Sequence, residues 1–273
     1  MKAPAIFSSA ASRRLSGMMM FTAAVMCSCK ETIKLDLQSA APHIVLEANL
    51  SDQNELQELR ISKSKAYYDD NSFTAVSGAL AILTDDMGLV DTLKEGLTAG
   101  RYYPAIAAGI PGHTYHLHVE AEGKTYDAFS TMPYPVELDT IGIISLPIPG
   151  REAIKTIGCV YQDPAAYTNY YHFVSYRNGK RSTSFRVASD QFTNGNHVTT
   201  TVGAPDTIIS MDTISLELQA VDKPIYDYFR ELSSITSTRN QPAAPANPKS
   251  NWTNDALGYF SAHTSRKKTT IAP

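Results

Sequence analysis

Between His43 and Phe129 the chain alternates apolar and polar residues in short runs separated by turn formers. His43-Ile44-Val45-Leu46-Glu47-Ala48-Asn49-Leu50 is rich in strand-forming residues, and Leu59-Arg60-Ile61-Ser62 alternates with period two, the pattern of a half-buried strand. Ala79 to Thr84 runs into Asp85-Asp86-Met87-Gly88, a turn whose glycine supplies a positive φ, and Leu89 to Leu93 is the expected hairpin partner. Gly109-Ile110-Pro111-Gly112 leads into Thr114-Tyr115-His116-Leu117-His118-Val119-Glu120. That segment turns at Glu122-Gly123-Lys124 and returns through Tyr126-Asp127-Ala128-Phe129. Short strands at this spacing, with no long amphipathic helix among them, predict an antiparallel β-sandwich of the Ig-like or transthyretin-like kind over residues 43–133. Met132-Pro133-Tyr134-Pro135 is its natural boundary.

A second β-rich domain is expected over residues 134–273. Leu138 to Ile144 reads as a strand, and Tyr170 to Tyr176 and Arg181 to Val187 flank Asn178-Gly179, the strongest short hairpin signal in the chain. Ser215 to Ala220 is a further strand. The period then changes. Ile225, Tyr228, Phe229 and Leu232 fall at i, i+3, i+4 and i+7, with Asp222 placed to cap and Pro224 in the first turn. A helix near residues 222–236 follows, packed through that stripe, with Asp227 on the opposite face. Pro242, Pro245 and Pro248 mark a loop, after which Leu257-Gly258-Tyr259-Phe260 is expected as a buried closing strand.

The N-terminus has a different character. Lys2, Arg13 and Arg14 precede a mostly apolar, uncharged run from Leu15 to Met26, long enough for a signal-peptide core and too short to span a bilayer. Ser28 is a small residue immediately before Cys29, as lipoprotein signal peptidase requires, whereas Cys27 follows bulky Met26. Residues 1–28 therefore read as a lipoprotein signal peptide, Cys29 as the lipid attachment site, and residues 29–42 as a polar tether.

Composition agrees with this. At 43% hydrophobic and 19% charged residues the chain can build a core. Cleavage before Cys29 removes three basic residues and no acidic one, taking the formal charge from −3 to −6. A mildly acidic surface without a basic stripe argues against nucleic acid as a partner. Once Cys27 leaves and Cys29 is acylated, Cys159 is the last thiol, so no intrachain disulfide is expected. In Thr156-Ile157-Gly158-Cys159-Val160-Tyr161 it reads as a buried small hydrophobe rather than a nucleophile.

An ordered set of short segments resembles the bacterial envelope family known as domain of unknown function 4249. It begins with Cys29-Lys30-Glu31, Ile33 to Leu37 and Ile44-Val45-Leu46-Glu47. It continues through Val76-Ser77-Gly78-Ala79, Thr84-Asp85-Asp86, Gly109 to Tyr115, Gly123-Lys124-Thr125-Tyr126 and Thr131-Met132-Pro133. In the second half come Asp163-Pro164, Asn169-Tyr170-Tyr171, Tyr226-Asp227-Tyr228-Phe229 and Ala256 to Phe260. Asn254-Asp255 departs from the small, often glycine, residues such a chain would carry there. The resemblance implies an outer-membrane lipoprotein of a Gram-negative envelope, often encoded beside TonB-dependent receptors. It implies no catalytic residues and no cofactor.

Candidate chemistry is sparse. His113, His116 and His118 form the one histidine cluster, and His116, His118 and Glu120 share a strand face. Side chains two apart on a strand stand about 6.5 Å apart at the backbone, within reach of one metal ion. A solvated strand face is nevertheless the expectation, and no metal is assigned. Asp69-Asp70-Asn71 lacks the spacing of a calcium loop and reads as a turn. Tyr161, Tyr167, Tyr170 and Tyr171 could line a ligand platform for sugar rings, against the simpler reading as half-buried sheet residues. Asp139-Thr140-Ile141, Asp206-Thr207-Ile208 and Asp212-Thr213-Ile214 repeat, with Asp91-Thr92-Leu93 close in type. Thr92, Thr140, Thr207 and Thr213 are thus candidates for O-glycosylation, although Asp before a strand is also ordinary turn chemistry.

No G-x-S-x-G or H-E-x-x-H motif occurs. The expectation is a non-catalytic outer-membrane lipoprotein that binds or assembles with a TonB-dependent receptor, its membrane face left open. The alternatives are an envelope hydrolase with a dispersed site and a structural or adhesive surface protein.

Overall fold

Strands form where the alternation predicts them. The computed structural model describes residues 42–65, 74–203, 207–236 and 247–273. In chain order the strands of the first half are Ile44–Ser51 (β1), Glu58–Lys63 (β2), Thr74–Ala75 (β3), Leu80–Asp85 (β4), Val90–Thr92 (β5), Lys94–Glu95 (β6), Arg101–Tyr103 (β7), Thr114–Ala121 (β8) and Lys124–Thr131 (β9). Then follow Leu138–Ile148 (β10), Arg151–Gln162 (β11), Tyr170–Arg177 (β12), Lys180–Arg181 (β13), Arg186–Ser189 (β14), His197–Gly203 (β15) and Thr213–Val221 (β16). Helix Lys223–Thr236 (α1) and the long strand Leu257–Ile271 (β17) complete the described elements.

They make three sheets. The largest runs β13-β12-β16-β17-β1-β2-β7-β6, with β14 also on β12 and β3 on β2. The second is β5-β4-β8-β9 and the third β10-β11-β15. Leu46, Leu59, Ile61 and Tyr102 of the large sheet share a core with Ala81, Leu83, Tyr115, Leu117 and Val119 of the second, joined by Met132, Trp252 and Phe260. Tyr171, Phe173, Ile214, Leu216 and Leu218 of the same large sheet share another core with Leu138, Ile157, Cys159 and Tyr161 of the third. Sheet-on-sheet packing of this kind buries alternate residues of each strand.

One pairing departs from the antiparallel expectation. β1 runs parallel to β17, from Val45↔Leu257 to Ser51↔His263, and β17 then continues antiparallel to β16, from Ala220↔Thr264 to Thr213↔Ile271. Parallel neighbours need a long connection, and here most of the chain supplies it. The closing strand is longer than its apolar segment predicts, because its second half, Arg266 to Thr270, is polar and pairs with β16 all the same. Gly258 (φ +93°) makes the parallel contact feasible: a Cβ there would lie 2.1 Å from the Leu46 carbonyl oxygen. Asn254 and Asp255, where the family resemblance leads one to expect glycine, take φ of 55° and 57°, a region that Asn and Asp enter more readily than most side chains.

The Asn178-Gly179 turn has φ positive at both residues (50° and 79°), as a two-residue hairpin turn demands, but the return strand is broken between β13 and β14. Asp222 caps α1, its Oδ1 accepting from the Ile225 amide at 3.2 Å. Its Oδ2 accepts from Ser130 Oγ at 2.8 Å and the Thr131 amide at 3.0 Å, so one carboxylate fastens the helix to β9. Ile225, Tyr228 and Phe229 are buried and Leu232 packs beside them. Phe229 lies flat on His172, ring centres 4.0 Å apart. Asp227 is half-buried rather than fully outward, held by Lys223 and by Arg230 at 3.1 Å. Among the described residues no helix is long and apolar enough to cross a membrane.

Candidate functional site

Beside the N-terminal end of α1 the surface opens into two clefts that share Thr168, Tyr170 and Lys223. One, of about 350 Å³, is lined by Tyr134, Tyr167, Asn169 and Asp222 among others. The other, of about 430 Å³, is lined by Asp190, Gln191, Asn194, Tyr226 and Arg230. Each is large enough for a small ligand.

The local sequence explains why the loop before β12 stays in place. Asp163 accepts from the Gly195 amide at 2.9 Å and from the Tyr171 hydroxyl. Asn169 donates its side-chain amide to the Pro164 and Tyr167 carbonyls at 3.0 and 2.9 Å. The Asn169 backbone amide donates to Asp190 Oδ2 at 2.7 Å, and the Asp190 amide donates back to the Asn169 carbonyl. Asp163, Asn169 and Asp190 are all buried, so the segments Asp163-Pro164 and Asn169-Tyr170-Tyr171 serve to pin a loop that presents Tyr167. Tyr167 is 56% exposed and Tyr134 54% exposed, and their rings stack at 5.5 Å. Deeper in, Tyr170 meets Tyr226 at 5.0 Å, and the Arg230 guanidinium stands 5.5 Å from the Tyr226 ring centre. Flat aromatic faces, amide donors and two cations converge on one surface, suited to holding a polar, ring-bearing ligand.

The four tyrosines weighed as a platform, and read more simply as half-buried sheet residues, thus divide. Tyr161 and Tyr171 are core residues (2% and 0% exposed), packed edge to face at 5.0 Å, whereas Tyr167 and Tyr170 face the cleft. Tyr134, Lys223, Tyr226 and Arg230 come to the same place from other segments. The Tyr226 segment carried a sequence signal for the helix and the Tyr134 segment one for a boundary, neither of them for a ligand surface.

A buried polar network sits elsewhere, beneath α1 on the large sheet. Burial opposes ionisation of Glu217, yet bonds from Gln219 Nε2 (2.7 Å), Ser265 Oγ (2.9 Å) and Tyr176 Oη (2.9 Å) outweigh it and hold the carboxyl below its ordinary range. His172 is enclosed, and burial depresses its pKa to about 3; its neutral ring donates from Nδ1 to Gln219 Oε1 at 2.8 Å. Ser261 Oγ is 3.1 Å from His263 Nδ1, but both residues are buried. This network satisfies its own members.

Other predicted residues fall as follows. Cys29, Asp69-Asp70-Asn71, Asp206 and residues 241–246 of the proline loop lie outside the described residues. Thr92, Thr140, Thr207 and Thr213 are all exposed. The aspartates of two repeats have structural duties: Asp91 accepts from the Ala105 and Ile106 amides, and Asp212 from Arg177, Asn178 and the Ile209 amide. Cys159 is 2% exposed, and burial pushes its thiol up to about 11. Asp85 locks its own turn through Oδ1 and meets His113 Nδ1 at 2.8 Å through Oδ2. His116 and His118 do share a face with Glu120, and the structure adds a residue the same-strand reading missed: Asp127, whose Oδ1 is 2.8 Å from both His116 Nε2 and His118 Nδ1. The signal for it was present, because a two-residue turn at Glu122-Gly123 puts Asp127 directly opposite His118.

Fold and cleft together define a mainly β protein of packed sheets with a tyrosine-lined cleft at the end of its one described helix. The chain belongs to the family described as Domain of unknown function (DUF4249), which matches residues 30–269. Comparison with curated proteins finds no match.

Proposed function

We propose that this protein is a lipid-anchored outer-membrane lipoprotein that binds a polar, ring-bearing ligand, of which saccharides are the leading class, and works beside a TonB-dependent receptor without catalysing a reaction. The observation that carries the reading is the Tyr134–Tyr167 pair. Two rings more than half exposed are stacked, and one of them, Tyr167, is held on a loop pinned by buried Asp163, Asn169 and Asp190, so the surface is organised before any ligand arrives. The signal-peptide pattern ending at Cys29 supports the anchor. Asp222, the carboxyl on the cleft lining whose pKa burial raises, is occupied by the Ile225 amide, Ser130 and the Thr131 amide, which favours binding over a hydrolytic alternative.

Binding of glycans and short peptides to the purified chain tests the cleft. Tyr134→Ala with Tyr167→Ala should weaken the captured ligand at least about tenfold, or 1.4 kcal/mol. Co-purification from envelopes in mild detergent tests the partner. Undiminished binding by the double variant removes the cleft from the proposal. A transporter that never co-purifies, with uptake unchanged on deletion, removes the receptor. Substrate turnover lost on a single Asp or His substitution would establish the hydrolase instead.

A further inference from the structure

The β8–β9 hairpin carries a group of side chains that the cleft does not use. Its register sets His118 opposite Asp127 and His116 opposite Phe129. One oxygen, Asp127 Oδ1, stands 2.8 Å from His116 Nε2 and 2.8 Å from His118 Nδ1, and the three atoms lie within 4.8 Å of one another. We propose that His116 Nε2, His118 Nδ1 and Asp127 Oδ1 form a binding site for one first-row divalent transition ion, with Zn²⁺ the reference ion and a fourth position open to solvent or to a partner's ligand atom.

The geometry is close to what the ion needs. Bonds of about 2.0–2.2 Å in a tetrahedron place neighbouring ligand atoms about 3.3–3.5 Å apart. The carboxylate oxygen has to retreat from each imidazole by about half an ångström, and the two ring nitrogens, within 4.8 Å of one another, have to settle about 3.4 Å apart, adjustments that side-chain rotation provides. Two imidazole nitrogens and one carboxylate suit zinc, copper or nickel rather than calcium or magnesium, which prefer all-oxygen sites. The ion would replace the protons now shared between the rings and the carboxylate.

Three further contacts hold the ligands in position. His118 turns its second nitrogen, Nε2, toward Glu120 Oε1 at 3.4 Å, the outer carboxylate that commonly orients a metal-bound histidine. Glu120 therefore supports a ligand rather than serving as one. His116 lies flat on Phe129, with ring centres 4.4 Å apart and planes 10° apart. The Asp127 backbone is clamped by Thr253, whose Oγ1 accepts from the Asp127 amide at 2.8 Å and whose own amide donates to the Asp127 carbonyl at 2.9 Å. The three ligand side chains are each about 30% exposed (32%, 28% and 31%), which leaves one side of the site accessible.

The test is Zn²⁺ titration of the full purified chain after chelator treatment, followed by calorimetry at neutral pH and repeated in a second buffer of different ionisation heat. One ion per chain with net proton release is expected, weakening as pH falls because protons compete for the imidazole nitrogens. His116→Ala with His118→Ala should abolish saturable binding, whereas His113→Ala and His197→Ala should leave it intact. Glu120→Gln should weaken it about 10–100-fold at unchanged stoichiometry. That variant keeps the test open should the double variant misfold. No saturable uptake by the parent chain, uptake that survives loss of both histidines, or a Glu120→Gln affinity equal to the parent's overturns the assignment.

Discussion

Replacing Phe229 with alanine removes the ring that joins α1 to the large sheet. Phe229 is 4% exposed and meets four rings: His172 at 4.0 Å, Tyr259 at 5.0 Å, Tyr228 at 5.3 Å and Phe185 at 5.7 Å. Truncating a buried phenylalanine costs about 3–5 kcal/mol, and aromatic pairs add about 0.5–1.5 kcal/mol each beyond area, so the upper part of that range is expected. Asp227→Ala is the control. Its partners Lys223 and Arg230 are 62% and 56% exposed, and pairs of that kind contribute at most about 1 kcal/mol. Urea unfolding should be followed by far-UV circular dichroism and by the fluorescence of Trp252, the single tryptophan, which lies in the first core. A second signature separates burial from mere stickiness. Phe229 covers His172, so water admitted by the truncation should let that ring protonate more readily, and the stability deficit should be smaller at pH 5 than at pH 7. Equal and small losses for the two variants, or a deficit that does not change with pH, would refute the buried stripe.

Three other outcomes follow from the same observations. His172 is depressed to about 3 in the folded chain against about 6.5 unfolded. The unfolded chain therefore binds the proton first as pH falls. The group's contribution is complete above about pH 6.5 and lost between there and about pH 3, up to roughly 5 kcal/mol; Gln219, Glu217, Arg181 and His263 surround it. His172→Gln should flatten that slope in acid unfolding, and a parent chain with no such slope would count against a buried neutral ring. Gly258→Ala should cost at least about 1–3 kcal/mol from its backbone conformation alone, with the approach to Leu46 adding to it; an unchanged urea midpoint would mean that β1 and β17 do not meet there. Cys29→Ala should move the protein from the membrane to the soluble fraction or leave the precursor uncleaved, because acyl chains supply about 0.8 kcal/mol per buried CH₂. Retention as tight as the parent's would place the anchor elsewhere.

Much of this fold was legible because its signals are local. The alternation in Ile44–Ser51 and Thr114–Ala121, the Asn178-Gly179 turn and the 225-228-229-232 stripe each specify structure within a dozen residues. What joins those pieces was not. Nothing in Leu257-Gly258-Tyr259-Phe260 announces a parallel partner at Val45–Ser51, since β-pairing over some 200 residues leaves no periodicity of its own. The cleft is hidden for the same reason: Tyr134, Tyr167 and Tyr226 come from a linker, a loop and a helix. Asp127 lay between these cases. Reading only residues two apart on one strand selected Glu120 beside His118, whereas counting across the Glu122-Gly123 turn selects Asp127.

The splice in β17 dictates when the molecule can become itself. Residues 257–263 bond to the first strand of the sheet and residues 264–271 to β16, while Phe260 and Ala262 fill the first core and Ala272 the second. A chain delivered N-terminus first would have β1 available early, with one flank waiting for residues 257–263 to arrive. Such non-local closure is slow and leaves an edge unpaired in the meantime. During delivery the sequence would remain an open, threadable polymer, and β17 would act as the latch that joins two half-built layers.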